Sequence, residues 1–184
     1  MTDISGRIAF ITGGASGLGF SMAKAFLARG ASVMLADINP EGLAEAKASL
    51  QQPNHHVDTV VCDVADVESV RAAAKATVDR FGKVHLVVNN AGVSLTGRAG
   101  KIAIENWRWA VDINLMGVVH GVEVFTPILR AQKEGGHFIN TSSMAGHVAS
   151  AGAAPYIATK FAVVGYSEAL RGELEPDDIN LSVL

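Results

Sequence analysis

Six short apolar runs recur along the chain, each followed by a longer segment in which apolar residues return every three or four positions. The runs are RIAFIT (7–12), SVMLAD (32–37), VDTVVCD (57–63), VHLVVNN (84–90), GHFINTS (136–142) and INLSVL (179–184). Most are rich in β-branched residues and apolar almost throughout, which predicts strands buried on both faces. The intervening segments, 18–29, 40–52, 66–81, 105–132 and 155–175, have helical spacing. Strands alternating with helices predict right-handed crossovers and a parallel sheet. The expected fold is therefore α/β: a doubly wound, Rossmann-type sheet in a three-layer α/β/α domain covering residues 1–184. The last run has no turn or helix after it, so the fold is expected to be truncated after the sixth strand. Apolar residues on more than one face of the two longest helices, around 114–132 and 155–175, call for a further partner.

Composition narrows the function. The 184 residues are 49% hydrophobic and carry a net charge of −3, which offers no basic surface for nucleic acid or an anionic membrane. One cysteine, Cys62, excludes an internal disulfide and points to a reducing compartment. There is no signal-peptide pattern and no uninterrupted apolar run of membrane-spanning length, so a cytoplasmic protein is expected. The six histidines form no helical pair flanking an acid, and no metal site is expected.

The chemistry begins at TGGASGLG (12–19), between the first strand and first helix. Glycines there let the backbone approach a diphosphate at a helix N-terminus, and Gly13, Gly17 and Gly19 are spaced for it. No Gly-Lys-Ser/Thr follows, which excludes a P-loop. Asp37 ends the second strand, where a carboxylate can accept from an adenosine ribose. Its competing role is as a helix cap. Asn39 followed by Pro40 suits that role better, which leaves Asp37 over. A carboxylate also repels a 2′-phosphate, so NAD is expected rather than NADP. Asp63 closes the third strand and serves equally as an adenine contact or a local cap, although Asp66 is the better cap for the next helix. NNAG (89–92) keeps the carboxyl edge of the sheet open beside the fourth strand.

Tyr156 and Lys160 lie one turn apart on one helix face. Alone, such a pair is usually surface decoration. Two serines, Ser142 and Ser143, precede the tyrosine. Asn114, taken alone, reads as a polar spot on a helix. Trp107 and Trp109 are expected to be packing residues at the start of the long fifth helix.

Taken together, Thr12–Gly19, Asp37, Asp63 with Val64, Asn89–Gly92, Asn114, Ser143, and Tyr156 with Lys160 resemble the short-chain dehydrogenase/reductase family, single-domain branch. The match runs from the first strand to the sixth. The resemblance selects Ser143 over Ser142 and implies a catalytic tetrad of Asn114, Ser143, Tyr156 and Lys160. It implies an NAD site in which Gly13, Ser16, Gly17, Leu18 and Gly19 form the phosphate turn. Asp37, Asp63 and Val64 would meet the adenosine, and Asn90, Ala91 and Gly92 the middle of the cofactor. Tyr156 and Lys160 would meet the nicotinamide end.

The implied activity is hydride transfer between NAD and a secondary alcohol or ketone. A free tyrosine has a pKa of ~10, and a lysine ammonium nearby can lower it by ~1–3 units. Tyr156 is then the acid–base, Ser143 holds the substrate oxygen, and Lys160 also binds the nicotinamide ribose. Relatives pair through the two long helices, so a homodimer or homotetramer is expected. They also continue past the sixth strand into a substrate-covering lid and a seventh strand, and both are expected to be absent here. The alternatives are a non-catalytic dinucleotide-binding or scaffold protein of this fold and a methyltransferase, which leaves Tyr156 and Lys160 unexplained.

Overall fold

The computed structural model describes residues 4–184. Six parallel strands, β1 (Ile8–Thr12), β2 (Ser32–Asp37), β3 (Val57–Val61), β4 (Leu86–Asn89), β5 (Gly136–Asn140) and β6 (Ile179–Val183), form one sheet. Their order is β3-β2-β1-β4-β5-β6. The order in which strands are added across the sheet reverses between β1 and β4, and a crevice opens at the carboxyl ends of strands flanking such a switch.

Alternation along the strands divides the core. Ala9, Ile11, Val33, Leu35 and Val88 face one layer, with α1 (Gly17–Leu27) and α2 (Pro40–Leu50) packed over them. Phe10, Met34, Val87 and Phe138 face the other. There they meet α3 (Val67–Phe81), α5 (Gly117–Gln132) and α6 (Ala154–Leu174). Phe10 and Phe125 stack at 4.7 Å between ring centroids. Burying each such ring contributes roughly 1.5–3 kcal/mol.

The helix starts follow the expected capping. Asn39 accepts the Gly42 N–H at 3.0 Å, with Pro40 opening α2. Asp66 accepts the Glu68 N–H at 2.9 Å at the head of α3. On edge strand β3, Asp58 receives both Lys47 of α2 and Arg80 of α3 at 2.7 Å. Burial works to raise its pKa, but the hydrogen bonds from Lys47 and Arg80 prevail and hold the carboxyl down to about 2.

Two expectations need correction. The segment 105–132 is one continuous helical path, but not one α-helix. It comprises α4 (Ile104–Val111), a π-helical turn (Asp112–Met116) and then α5. The Gly117 N–H reaches back five residues to the Asp112 carbonyl. A π-turn accommodates one surplus residue, and such turns recur at functional sites. Trp109 is not a packing residue within this chain: it is 47% exposed, while Trp107 is half-buried. The path Ile104–Gln132 is long and apolar enough to cross a membrane by length and composition. Here it lies along the sheet and buries Val118, Val122, Phe125 and Leu129.

Candidate functional site

A cleft of about 580 Å³ runs along the carboxyl edge of the sheet. One wall is the turn between β1 and α1. Gly13 has φ +63°, and a Cβ there would stand 2.9 Å from the Asn90 amide nitrogen. Gly19 sits beneath the turn, where a Cβ would be 2.2 Å from the Gly13 carbonyl oxygen, closer than any real contact. Ser16 is the N-cap of α1 but makes no side-chain cap bond. The first-turn N–H groups of α1 therefore remain free to bind an anion. The turn is tied to β2 by consecutive amides: Gly14 N–H donates to the Ala36 carbonyl at 3.0 Å and Ala15 N–H to Asp37 Oδ2 at 3.1 Å.

Asp37 is thus not left over. Its Oδ1 also accepts the Asn39 N–H at 3.1 Å. Asp63 has local work too, accepting the Ala65 N–H at 2.9 Å. Both carboxylates still line the cleft, beside Leu18 and Val64. The buried Thr12 hydroxyl donates to the Val88 carbonyl and accepts from the Asn90 and Ala91 N–H groups at 2.9 and 3.0 Å. That hydroxyl sets the position of the NNAG segment. Its role was hidden in the sequence because a threonine ending a strand looks like any β-branched residue.

The opposite wall carries Thr141, Tyr156 and Lys160. Tyr156 stands in the first turn of α6, which Pro155 helps to open. Lys160 is 4% exposed. Its Nζ donates to the Thr141 carbonyl at 2.7 Å and lies 5.7 Å from the Tyr156 ring centroid. Burial pushes the Lys160 ammonium down to about 8.

Three expected site residues do not line the cleft. Gly19 shapes the turn from below. Asn114 is fully buried in the π-turn. Its Oδ1 accepts the Val93 N–H at 2.7 Å, and its Nδ2 donates to the Val93 carbonyl and to Thr159 Oγ1 at 2.9 and 3.2 Å. The Thr159 hydroxyl in turn donates to the Tyr156 carbonyl at 2.8 Å. Asn114 therefore ties the loop after β4 to the helix that carries the tyrosine. Ser143 is half-buried and accepts the Ala145 N–H at 3.1 Å, capping a short 3₁₀ turn (Met144–Gly146). Ser142 is buried, and its hydroxyl donates to the Lys160 carbonyl at 3.0 Å, which commits it to the frame.

Strand order, glycine turn and edge cleft define a dinucleotide-binding α/β protein of the Rossmann type. A profile of the short chain dehydrogenase family matches residues 7–184. The C alpha-dehydrogenase of Sphingobium sp. is 37% identical over 184 residues, which is 100% of this chain and 60% of that protein. Human 15-hydroxyprostaglandin dehydrogenase [NAD(+)] is 35% identical over 187 residues, covering 98% and 67%. Among solved structures, a short-chain dehydrogenase/reductase from Burkholderia phymatum in complex with NAD superposes with a TM-score of 0.96 at 37% identity, covering 100% of this chain and 66% of that one. Carveol dehydrogenase from Mycobacterium avium, also in complex with NAD, gives 0.94 at 32% identity, covering 100% and 71%. The chain belongs to the short-chain dehydrogenase family. It spans about two thirds or less of the length of several of these relatives.

Proposed function

We propose that this protein is an NAD-dependent oxidoreductase that interconverts a secondary alcohol and a ketone, with Tyr156 as the acid–base. The observation that carries the reading is the placement of Tyr156 beside the buried Lys160, at the far end of a cleft whose near end is a glycine turn. The residues fit the cofactor. The turn has no side-chain bulk, free helix N–H groups face a diphosphate, and the Asp37 carboxylate stands where ribose hydroxyls would donate. Bound NAD supplies the hydride acceptor, and its reduced form the donor in the reverse direction.

The chain's own residues handle the proton. In oxidation, the Tyr156 phenolate oxygen takes the hydroxyl proton while the carbinol carbon gives up its hydride and becomes a carbonyl carbon. The Lys160 ammonium, anchored on the Thr141 carbonyl, places a positive charge beside the tyrosine. The Ser143 hydroxyl, free to donate after accepting from Ala145, holds the substrate oxygen toward Tyr156. Asn114 fixes the loop and helix that set this geometry. The outer faces of α5 and α6 pair two copies into a homodimer, and two dimers into a tetramer. Phe161, 43% exposed on α6, supports this reading. The single cysteine fits a cytoplasmic setting.

The test is reduced-nicotinamide absorbance with NAD and a panel of secondary alcohols. Tyr156→Phe is expected to lower kcat by about 10²–10⁴-fold while NAD binding stays intact. Full turnover by that variant, or none by the folded wild type, would refute the catalytic reading. A preference for NADP would refute the role given to Asp37. Sedimentation equilibrium is expected to show a dimer or tetramer, and a monomer would remove the pairing proposal.

A further inference from the structure

Asp37 faces two ways, and its second face has consequences for the phosphate turn. A carboxylate offers about four acceptor positions. Two are taken by backbone, the Ala15 N–H on Oδ2 and the Asn39 N–H on Oδ1, each at 3.1 Å. Two remain for a ribose. Ala15 belongs to the turn that lies under the diphosphate, two residues before Gly17. Its amide neighbour, that of Gly14, is held by a main-chain carbonyl, Ala36. Among the described residues, the Ala15 amide has only the carboxylate.

We propose that Asp37 is also a positioning residue for the phosphate turn: by holding the Ala15 N–H it fixes the glycine turn against the end of β2 before any cofactor arrives. The proposal rests on the reading of the cleft as an NAD site. It adds that losing the carboxylate weakens binding of the diphosphate as well as of the ribose. Exchange of Asp37 to relax cofactor preference would then loosen the turn that every such cofactor needs. Hydrogen bonds to a charged acceptor are the stronger kind, so the loss is not marginal.

The two roles separate in a cycle crossing one protein change with one ligand change. Affinities of the wild type and Asp37→Ala are measured by calorimetry for NAD and for an NAD analogue carrying 2′,3′-dideoxyadenosine. Wild type is expected to bind the analogue at least about tenfold more weakly than NAD, from loss of the ribose bonds. Asp37→Ala is expected to bind the analogue about tenfold more weakly again than wild type does. A carboxylate that served the ribose alone would leave the analogue's affinity unchanged, and that result overturns the proposal. If wild type binds both cofactors alike, the ribose contact fails, and the analogue comparison still decides the turn.

Amide hydrogen exchange without cofactor gives a second readout. In Asp37→Ala the Ala15 amide should exchange faster while the Gly14 amide, held by Ala36, stays protected. Unchanged Ala15 exchange also overturns the proposal. Should Asp37→Ala fail to fold, Asp37→Asn keeps the size and one acceptor oxygen, but its amide faces a backbone N–H with another donor. Its single oxygen can serve only one of the two amides, so faster exchange at Ala15 or at Asn39 in that variant supports the clamp, and wild-type protection at both defeats it.

Discussion

The two walls of the cleft are built on different principles. On the nucleotide side, the contacts are backbone: a turn without side-chain bulk, open helix N–H groups, and carboxylates whose local partners are main-chain amides. On the side of Tyr156 and Lys160, most of the polar residues are consumed in holding one another. Asn114, Thr159 and Ser142 all spend their hydrogen bonds inside the frame. Tyr156 and Lys160 line the cleft; Ser143 does not, although its neighbour Ser142 does. One wall is therefore sensitive first to added bulk and to loss of the Asp37 and Thr12 contacts that hold its backbone, and the other to loss of a partner or a change of polarity.

Breaking the catalytic wall should have the largest effect. Asn114→Ala strands the Val93 N–H and carbonyl and one Thr159 contact in a buried site. A loss of about 3 kcal/mol is expected, read as a lower urea midpoint with unchanged slope. Gly19→Ala attacks the other wall by bulk alone, placing a methyl against the Gly13 carbonyl. It should cost about 2 kcal/mol of stability and lower NAD affinity, measured by calorimetry, while leaving the Asn114 bonds intact.

The smallest effect sharpens the contrast through pH. Lys160 has a folded pKa of about 8 against an ordinary 10.5. Below pH 8 both folded and unfolded chains hold the proton, and the fold bears the full cost of burying it. Between the two values the folded chain releases it first, so stability rises with pH. Lys160→Met is thus expected to be more stable than wild type by about 1 kcal/mol at pH 7, after the lost Thr141 bond. Melting curves should show that advantage shrinking as pH climbs from about 8 to 10.5. An advantage that grows with pH would contradict the burial argument.

The sheet was legible in the sequence because its strands are apolar, β-branched runs, and all six were expected within a few residues of where they lie; only β1, β2 and β4 are buried on both faces, while β3, β5 and β6 are partly exposed. The caps Asn39 and Asp66 were equally legible, since each is a local bond between a side chain and the next turn. What the chain concealed depends on contacts distant in sequence. Of Asp37's two backbone partners, Asn39 is local and went unread, while Ala15, 22 residues away, was invisible to any local reading. Trp109 was assigned to packing because exposure is set by which neighbours the fold brings, and here they leave 47% of it exposed. Asn114 gained its meaning from resemblance alone until its bonds to Val93 and Thr159 came into view.

The π-turn at Asp112–Met116 changes what an insertion or deletion would do to this helix. An α-helix advances about 100° per residue. The wider π-turn takes up its surplus residue so that the two arms keep nearly the phase of a regular helix one residue shorter. Removing one residue from that turn would close it into regular winding with α4 and α5 little rotated, and the loss would fall on the bulge itself. The asparagine amide that holds Val93 and Thr159 sits in that bulge. A shortening of one residue would leave the helix whole and undo the joint it carries.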